Sequence, residues 1–286
     1  MDIKDHAQRY RFNYTGPEYS LKKKDLQALK NWFRSYVYRF SLPGPDHVNI
    51  QIKEEHTWNV CREITDLAKS VGLTRGGTRL AEAIALLHDT GRFDQYARYG
   101  TFVDGISEDH AELGVKILEE QSVLKGIDSD VRDLMLHAVS KHNKARVTEH
   151  DNEAFMFFTR LIRDADKLDI FRVVIDFYRS KDVDKKALGL GLRDNPCVTD
   201  SVVEDVMEER IVNSAGLRTL NDFKILQMGW VYDINFPASF QRIRERNYLV
   251  SIYETLPGGG KTDMVYRKVT DYLERRCRTA PGTTPD

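Results

Sequence analysis

The chain has little cysteine for its 286 residues. Its three cysteines, Cys61, Cys197 and Cys277, lie far apart and are odd in number. They can build neither a disulfide framework nor a zinc site of the Cys-x-x-Cys kind. A chain without a disulfide framework is typical of a reducing compartment, so we expect a cytoplasmic location.

Long apolar runs and an excess of charge of one sign are also missing. No stretch approaches the ~18 consecutive apolar residues that a transmembrane helix needs. The polar start of the chain, Met1-Asp2-Ile3, has no signal-peptide core. The formal net charge of -1 gives no broad basic surface. We therefore expect no membrane and no long nucleic acid as a partner, and the sequence leaves the oligomeric state open.

Strand-like alternation of β-branched residues is scarce, whereas apolar residues recur at helical spacing along the chain. We therefore predict an all-α fold with a single domain over residues 1–286. Its core is expected at about 45–180, a helical extension at about 181–278 and a frayed tail at 279–286. An aromatic-rich connection is predicted at 90–107, long enough to act as an active-site lid. The predicted helices cover about 21–40, 48–70, 78–89, 108–121, 128–143, 152–180, 199–214, 217–230, 237–255 and 261–277.

The dipeptide His88-Asp89 closes an apolar helical run that spans residues 80–87. Both side chains then lie in apolar surroundings, and burying an imidazole and a carboxylate without partners is costly. A metal ion is the partner that would satisfy both groups together. Gly91 follows, and we expect it to end this helix in the left-handed conformation.

Further histidines and a carboxylate lie on the inner faces of predicted helices. His56 falls on the apolar stripe of the helix at 48–70, and Asp166 falls on that of the helix at 152–180. His110 begins the helix after the aromatic-rich connection. Considered alone, His56 could instead be a core histidine with a polar partner, and His110 could be a surface residue of a first turn.

The helix predicted at 128–143 carries two histidines on different faces. His142 falls on its apolar stripe, whereas His137 falls on the face that carries charged residues. The periodicity therefore predicts His142 as a metal ligand. His137 is predicted to be either a surface residue or a residue that hydrogen bonds a metal-ligating side chain.

Three more residues flank Asp166 on its helix. Asp169 lies at the edge of the inner face and could accept a hydrogen bond from a ligand histidine, a common arrangement around metals. Asp164 is expected to point away from the core, where Lys167 could pair with it.

In this order, His56, His88-Asp89 and Asp166 resemble the motif of the HD superfamily of metal-dependent phosphohydrolases. The resemblance covers about residues 45–180, and the motif does not explain the rest of the chain. The local sequences that carry it are His56-Thr57, Leu87-His88-Asp89-Thr90-Gly91-Arg92-Phe93 and Arg163-Asp164-Ala165-Asp166-Lys167-Leu168-Asp169. The extra histidines of its two-metal members are matched by Asp109-His110-Ala111-Glu112-Leu113-Gly114 and His142-Asn143.

The resemblance implies an HD-domain helical bundle with additional C-terminal helices. It also implies a first metal bound by the four motif residues and a second metal that shares one of them. Many members of the family hold a single metal, so the second ion is a separate expectation. The implied ligands are His56, His88, Asp89 and Asp166 for the first metal, and Asp89, His110 and His142 for the second.

A nitrogen-rich ligand set favours a transition metal over magnesium. The expected cofactor is therefore one or two divalent ions, with iron, manganese, cobalt, nickel and zinc all open. Asp89 is expected to be catalytic because it would touch both ions. Arg92 could bind a substrate phosphate through its planar guanidinium group, and Lys167 is a weaker candidate for a catalytic role.

Three functions fit these observations. The first is a phosphohydrolase that cleaves a phosphomonoester or phosphodiester of a small substrate, which we expect to be a nucleotide, with a metal-activated water. The alternative is an oxygenase, because some HD-fold proteins hold a mixed-valence di-iron centre with six ligands in this order. The third is a non-catalytic module that binds a nucleotide as a sensor, and the intact ligand set argues against it.

Overall fold

The computed structural model describes residues 19–40, 47–145, 147, 152–179 and 192–278. Within these ranges, β structure is limited to one isolated bridge between Arg193 and Thr219, and helices form nearly all the regular structure. The predicted all-α fold is therefore confirmed. The predicted frayed tail at 279–286 and the start of the extension at 181–191 lie outside the described residues.

In the described part of the chain, the helices fall into two groups. The first group precedes residue 180 and contains every predicted site residue, and the second forms the C-terminal extension. The first group is α1 (Lys23–Tyr38), α2 (His47–Ser70), α3 (Arg75–Leu87), α4 (Thr90–Tyr99), α5 (His110–Glu120), α6 (Ser129–Lys141) and α7 (Glu153–Arg179). The second group is α8 (Asp200–Met207), α9 (Leu220–Gly229), α10 (Pro237–Glu245), α11 (Tyr248–Tyr253) and α12 (Lys261–Arg278).

Side-chain caps fix the beginnings of three helices that lead into the site. Thr74 caps α3, Asp109 caps α5 and Asp128 caps α6, each by accepting hydrogen bonds from backbone N–H groups of the first turn. The cap at Thr74 starts α3 at Arg75, earlier than the predicted residue 78. The start of α5 at residue 110 agrees with the predicted one to within two residues.

Helices α2, α3 and α7 pack against one another and form the apolar layer that supports the site. Each side chain of this size that is fully buried stabilises the fold by roughly 1.5–3 kcal/mol. Because the three helices are locked together by this layer, the polar residues at their edges are held in fixed relative positions. Fully buried members of the layer include Val60, Ile64, Leu80, Ile84, Leu87, Leu161, Ile162 and Leu168.

The prediction of a long connection at 90–107 was wrong. Residues Thr90–Tyr99 form α4, and a 3-10 turn follows at Asp104–Ile106. Gly91 lies inside the first turn of α4, and the left-handed residue is Gly100, with φ 63°, at the end of that helix. The reason for glycine at position 91 is close packing, since a Cβ atom there would lie 2.1 Å from the carbonyl oxygen of His110.

The extension is also more broken than predicted. The helix expected at 199–214 ends at Met207, shortly before Glu209, whose φ is 57°. The helix expected at 237–255 is divided into α10 and α11 by Asn247, whose φ is 55°. A left-handed residue cannot continue a right-handed helix, and asparagine tolerates this conformation better than most residues do. Among the described helices, none combines the length and the apolar character that a membrane span requires.

Candidate metal centre

Four histidines from four helices meet in one buried cluster. His56 lies within α2, His88 directly follows α3, His110 is the first residue of α5 and His142 directly follows α6. The four side chains are at most 4 % exposed. The ring centroids of His88 and His142 lie 5.0 Å apart, as do those of His110 and His142. The structure therefore brings together the four histidines that the sequence predicted as metal ligands.

Every one of these imidazoles uses its Nδ1 atom to hydrogen bond an oxygen atom on the outer side of the cluster. A carbonyl or carboxylate oxygen can only accept, so each Nδ1 atom carries the proton and donates it. A neutral imidazole protonated at Nδ1 has its lone pair on Nε2. The acceptors are Asp169 Oδ2 at 2.8 Å for His56, Ala85 O at 2.7 Å for His88, Asp104 Oδ2 at 2.8 Å for His110 and Val139 O at 2.7 Å for His142.

The Nε2 atoms lie on the inner side of the cluster and carry no proton when Nδ1 is protonated. His56 Nε2 and His88 Nε2 are buried and have no hydrogen-bond partner. His110 Nε2 and His142 Nε2 lie 3.1 Å apart. Two lone pairs at this distance repel each other unless a cation or a proton lies between them. Buried polar groups without partners are rare in proteins, so these lone pairs fit a bound cation.

The carboxylate of Asp89 lies between the two pairs of histidines. Its Oδ2 atom lies 3.6 Å from both His56 Nε2 and His88 Nε2. Its Oδ1 atom lies 3.4 Å from His110 Nε2 and 3.8 Å from His142 Nε2. Each oxygen of this one carboxylate therefore faces a different pair, which is the arrangement that a carboxylate bridging two ions requires.

Asp166 completes the half of the cluster formed by His56 and His88. Its Oδ1 atom lies 3.0 Å from His56 Nε2 and 3.6 Å from His88 Nε2. Ligand atoms of these three residues are close enough together to hold one metal ion, and so are those of His88, Asp89 and His142, a group that shares His88 with the first. The residues present thus fit the cofactor that the sequence predicted.

A third group of ligand types, Asp104, Asp109 and His110, needs no ion of its own. Asp104 accepts the Nδ1 proton of His110 at 2.8 Å. Asp109 caps α5 and pairs with Lys144 at 2.5 Å. The carboxylates of this group are already satisfied by protein donors, and Asp104 acts by orienting His110.

Burial and neighbouring charges favour the protonation states of His110, His142, Asp89 and Asp166 that bind a cation. Burial, assisted by Arg92, lowers the pKa of His110 to about 3, and burial also lowers the pKa of His142. Both imidazoles are therefore neutral at pH 7 and keep their lone pairs. Burial acts to raise the pKa of Asp89 and Asp166, but the Lys53 ammonium beside Asp89 and the His56 and His88 imidazoles beside Asp166 hold both values well below the usual range. The neutral imidazoles of His110 and His142 and the ionised carboxylates are donor groups typical of a divalent transition-metal site.

The supporting residues lie partly where the sequence predicted them. Asp169 accepts the Nδ1 proton of His56 and also pairs with Arg172 at 2.7 Å. His137 does not reach the cluster, and its ring instead packs edge-on against Phe155, with the ring centroids 5.2 Å apart. Its ring is half-buried.

Asp164 and Lys167 differ from the predicted arrangement. Asp164 is fully buried and accepts hydrogen bonds from Asn235 N at 3.0 Å and Phe236 N at 2.9 Å. Burial raises its pKa to about 6. Lys167 pairs with Asp233 at 2.7 Å, not with Asp164. The outward orientation expected for Asp164 was wrong because the segment after α9 covers that face of α7.

Arg92 lies beside the cluster but is partly engaged. Its Nη1 atom donates to Asp104 Oδ1 at 2.8 Å and to the carbonyl oxygen of Phe102 at 2.5 Å. Its Nε atom lies 3.7 Å from Asp89 Oδ1, is buried and has no hydrogen-bond partner. A free N–H donor therefore remains next to the carboxylate at the centre of the cluster.

Sequence reasoning missed three residues around the site. Lys53, whose ammonium lies 2.5 Å from Asp89 Oδ2, precedes His56 by three residues and shares its helix face, so helical spacing could have found it. Asp104 lies in the stretch that was predicted to be irregular. Asp233 binds Arg163 and Lys167 from outside the motif, and no local pattern signals such a long-range contact.

The comparison with protein families agrees with this geometry. Residues 54–170 match the family model of the HD domain, a segment that contains all six predicted ligands. A comparison with curated proteins and with solved structures found no match. The matched segment and the ordered set of histidines and aspartates identify residues 54–170 as an HD domain.

Proposed function

We propose that this protein is a two-metal phosphohydrolase that cleaves a phosphomonoester or phosphodiester of a small substrate, and that the substrate is a nucleotide. The single observation that supports it most is the arrangement of the four imidazoles. Their Nδ1 atoms are committed to outer acceptors, and their Nε2 atoms converge in two pairs on the two oxygens of Asp89.

The bound metal ions would supply a Lewis acid for the phosphoryl oxygens and a water of lowered pKa. The protein's own residues supply the rest. Asp104 and Asp169 hold the rings of His110 and His56 in place, because each accepts an Nδ1 proton. The ionised carboxylate of Asp89 links both halves of the cluster. Arg92 offers an unpaired Nε–H donor beside Asp89, where it can bind an anionic oxygen of the substrate.

The half-buried ring of Phe102 beside the cluster supports a nucleotide over other small phosphoesters. Tyr96 and Phe102 are stacked, with ring centroids 4.6 Å apart and an interplanar angle of 28°. Asn49 donates a hydrogen bond to the Tyr96 hydroxyl at 2.7 Å, which fixes the ring. The ring of Phe102 is half-buried and lies near Lys53, whose ammonium contacts Asp89. Stacking on an aromatic side chain is a common way to bind a nucleobase.

The proposal is tested by turnover of protein loaded with Mn²⁺ or Co²⁺ under anaerobic conditions. A panel of nucleoside monophosphates and cyclic nucleotides is compared with sugar phosphates, and released phosphate or nucleoside is measured. We expect hydrolysis without oxygen and faster turnover of nucleotides. Turnover restricted to the sugar phosphates would retain the phosphohydrolase and overturn the nucleotide assignment.

The same experiment distinguishes the di-iron oxygenase. Six ligands with two imidazole pairs suit two irons as well as they suit two other divalent ions. Protein that contains two irons per chain and hydrolyses no phosphoester, yet consumes oxygen with an organic substrate, would contradict the phosphohydrolase. An inactive protein that binds nucleotides tightly would indicate a sensor.

A further inference from the structure

Lys53 occupies a position next to the cluster that the motif does not include. It lies on α2, three residues before His56, and its ammonium lies 2.5 Å from Asp89 Oδ2. Its side chain is 16 % exposed, whereas the Asp89 side chain is 3 % exposed. Among the described residues, Asp89 is the hydrogen-bond acceptor of this ammonium. An ammonium has three N–H donors, so two remain for a ligand.

A second cation approaches the other oxygen of the same carboxylate. Arg92 Nε lies 3.7 Å from Asp89 Oδ1 and is buried without a hydrogen-bond partner. Lys53 from α2 and Arg92 from α4 therefore approach different oxygens of Asp89. The carboxylate of Asp89 neutralises one of these two positive charges, and Arg92 also pairs with Asp104. Arg92 Nε–H and two N–H groups of the Lys53 ammonium therefore stay available beside Asp89.

Solvent reaches the cluster on the side where Lys53 lies. The four histidines are at most 4 % exposed, but the side chain of Asp166 is 17 % exposed and that of Lys53 is 16 % exposed. Both of these residues lie beside the half of the cluster that contains His56. The ring of Phe102, whose centroid is 5.8 Å from Lys53 Nζ, borders the ammonium on another side.

We propose that Lys53 is a phosphate-binding residue, which together with Arg92 binds the phosphoryl group of the substrate at the open side of the metal cluster. The inference rests on the proposed phosphohydrolase function and adds a residue that lies outside the matched HD segment. A carboxylate oxygen has two lone pairs, so Asp89 can bind a metal ion while it still accepts a hydrogen bond from Lys53. The remaining ammonium N–H groups then form charge-assisted hydrogen bonds to phosphate oxygens.

The test measures binding of inorganic phosphate to the Mn²⁺-loaded protein by calorimetry, together with metal content per chain. The variants are Lys53→Met, Lys53→Arg and, as a matched control, Lys69→Met, which removes an exposed lysine from the far end of α2. We expect Lys53→Met to keep its metal and to weaken phosphate binding on the order of tenfold or more. Lys53→Arg should stay within a fewfold of the parent, and Lys69→Met should match it.

Two results would overturn the inference. Unchanged phosphate binding in Lys53→Met would show that Lys53 does not bind phosphate. Loss of metal in Lys53→Met would show that Lys53 acts by holding Asp89 in place. The assay needs no turnover, so it separates the two proposals. Parent protein that binds phosphate but hydrolyses nothing would refute the proposed function alone, whereas parent protein that loads metal and binds no phosphate would refute both.

Discussion

A Cβ atom added to Gly91 would lie 2.1 Å from the carbonyl oxygen of His110. Helices α4 and α5 therefore meet at a distance that only glycine permits at this position. The same contact brings the first turn of α4, which follows Asp89, against the first turn of α5, which carries His110. The helix crossing and the second pair of ligand histidines thus depend on one residue.

Gly91→Ala should separate α4 from α5 and displace His110. Overpacking of this kind costs about 1–3 kcal/mol of unfolding free energy, and metal content should fall from about two ions per chain towards one. Urea unfolding and elemental analysis measure the two effects. The control is Gly258→Ala, where no heavy atom lies within 4 Å of the added Cβ. Parental stability and metal content in Gly91→Ala would refute the role of this contact.

Asp89→Ala should remove metal and activity together. Its two oxygens face different histidine pairs, at 3.6 Å from His56 Nε2 and 3.4 Å from His110 Nε2, so neither half of the cluster keeps its full ligand set. Elemental analysis after gel filtration and a turnover assay test the expectation. Retained metal with full activity would show that the site has been assigned to the wrong residues.

His142→Ala should lower metal occupancy at the second site much more than His137→Ala does. The Nε2 atom of His142 lies 3.1 Å from that of His110, whereas the ring of His137 packs against Phe155. The two variants remove the same side chain from one helical region, so each serves as the control for the other. The reverse order of metal loss would mean that the ligand comes from the other face of α6.

Asp233→Asn should weaken the attachment of the extension to α7. Its carboxylate pairs with Arg163 and Lys167, and Arg163 also donates to the carbonyl oxygen of His142 at 2.8 Å. Loss of a charged partner for a cation that is 5 % exposed should reduce the unfolding free energy by about 1–3 kcal/mol.

The matched control for that variant is Asp66→Asn, whose side chain is 56 % exposed and pairs with Lys69. An exposed pair of this kind contributes roughly 0–1 kcal/mol, so its loss should leave stability nearly unchanged. We also expect Asp233→Asn to weaken metal binding at His142, because Arg163, which donates to the carbonyl oxygen of His142, would lose its carboxylate partner. Equal stability of the two variants would argue against the role of Asp233.

Local rules in the sequence predicted the residues that the structure brings together in the cluster. Helical periodicity separated His142 from His137, and the order of His56, His88-Asp89 and Asp166 identified the motif. The start of α5 after Asp109 was predicted to within two residues, because an acidic cap signals it in the local sequence.

The features that were not predicted depend on contacts between distant parts of the chain. Asp164 seemed to face solvent because its neighbours in sequence do not cover it, but Asn235 and Phe236 bind it from the extension. Helix α4 was predicted as a connection because its sequence is mixed in polarity, and its place is fixed by the close approach of Gly91 to α5. Neither contact leaves a pattern in the local sequence.

We propose that two imidazole pairs and Asp89 bind two divalent metal ions. The most direct measurement is elemental analysis of protein purified without chelators, alongside Asp89→Ala prepared in the same way. We predict about two transition-metal ions per chain in the parent protein and nearly none in the variant. A parent protein that takes up no metal after incubation with Mn²⁺, Fe²⁺, Co²⁺, Ni²⁺ or Zn²⁺, or a variant that retains the full amount, would contradict the account.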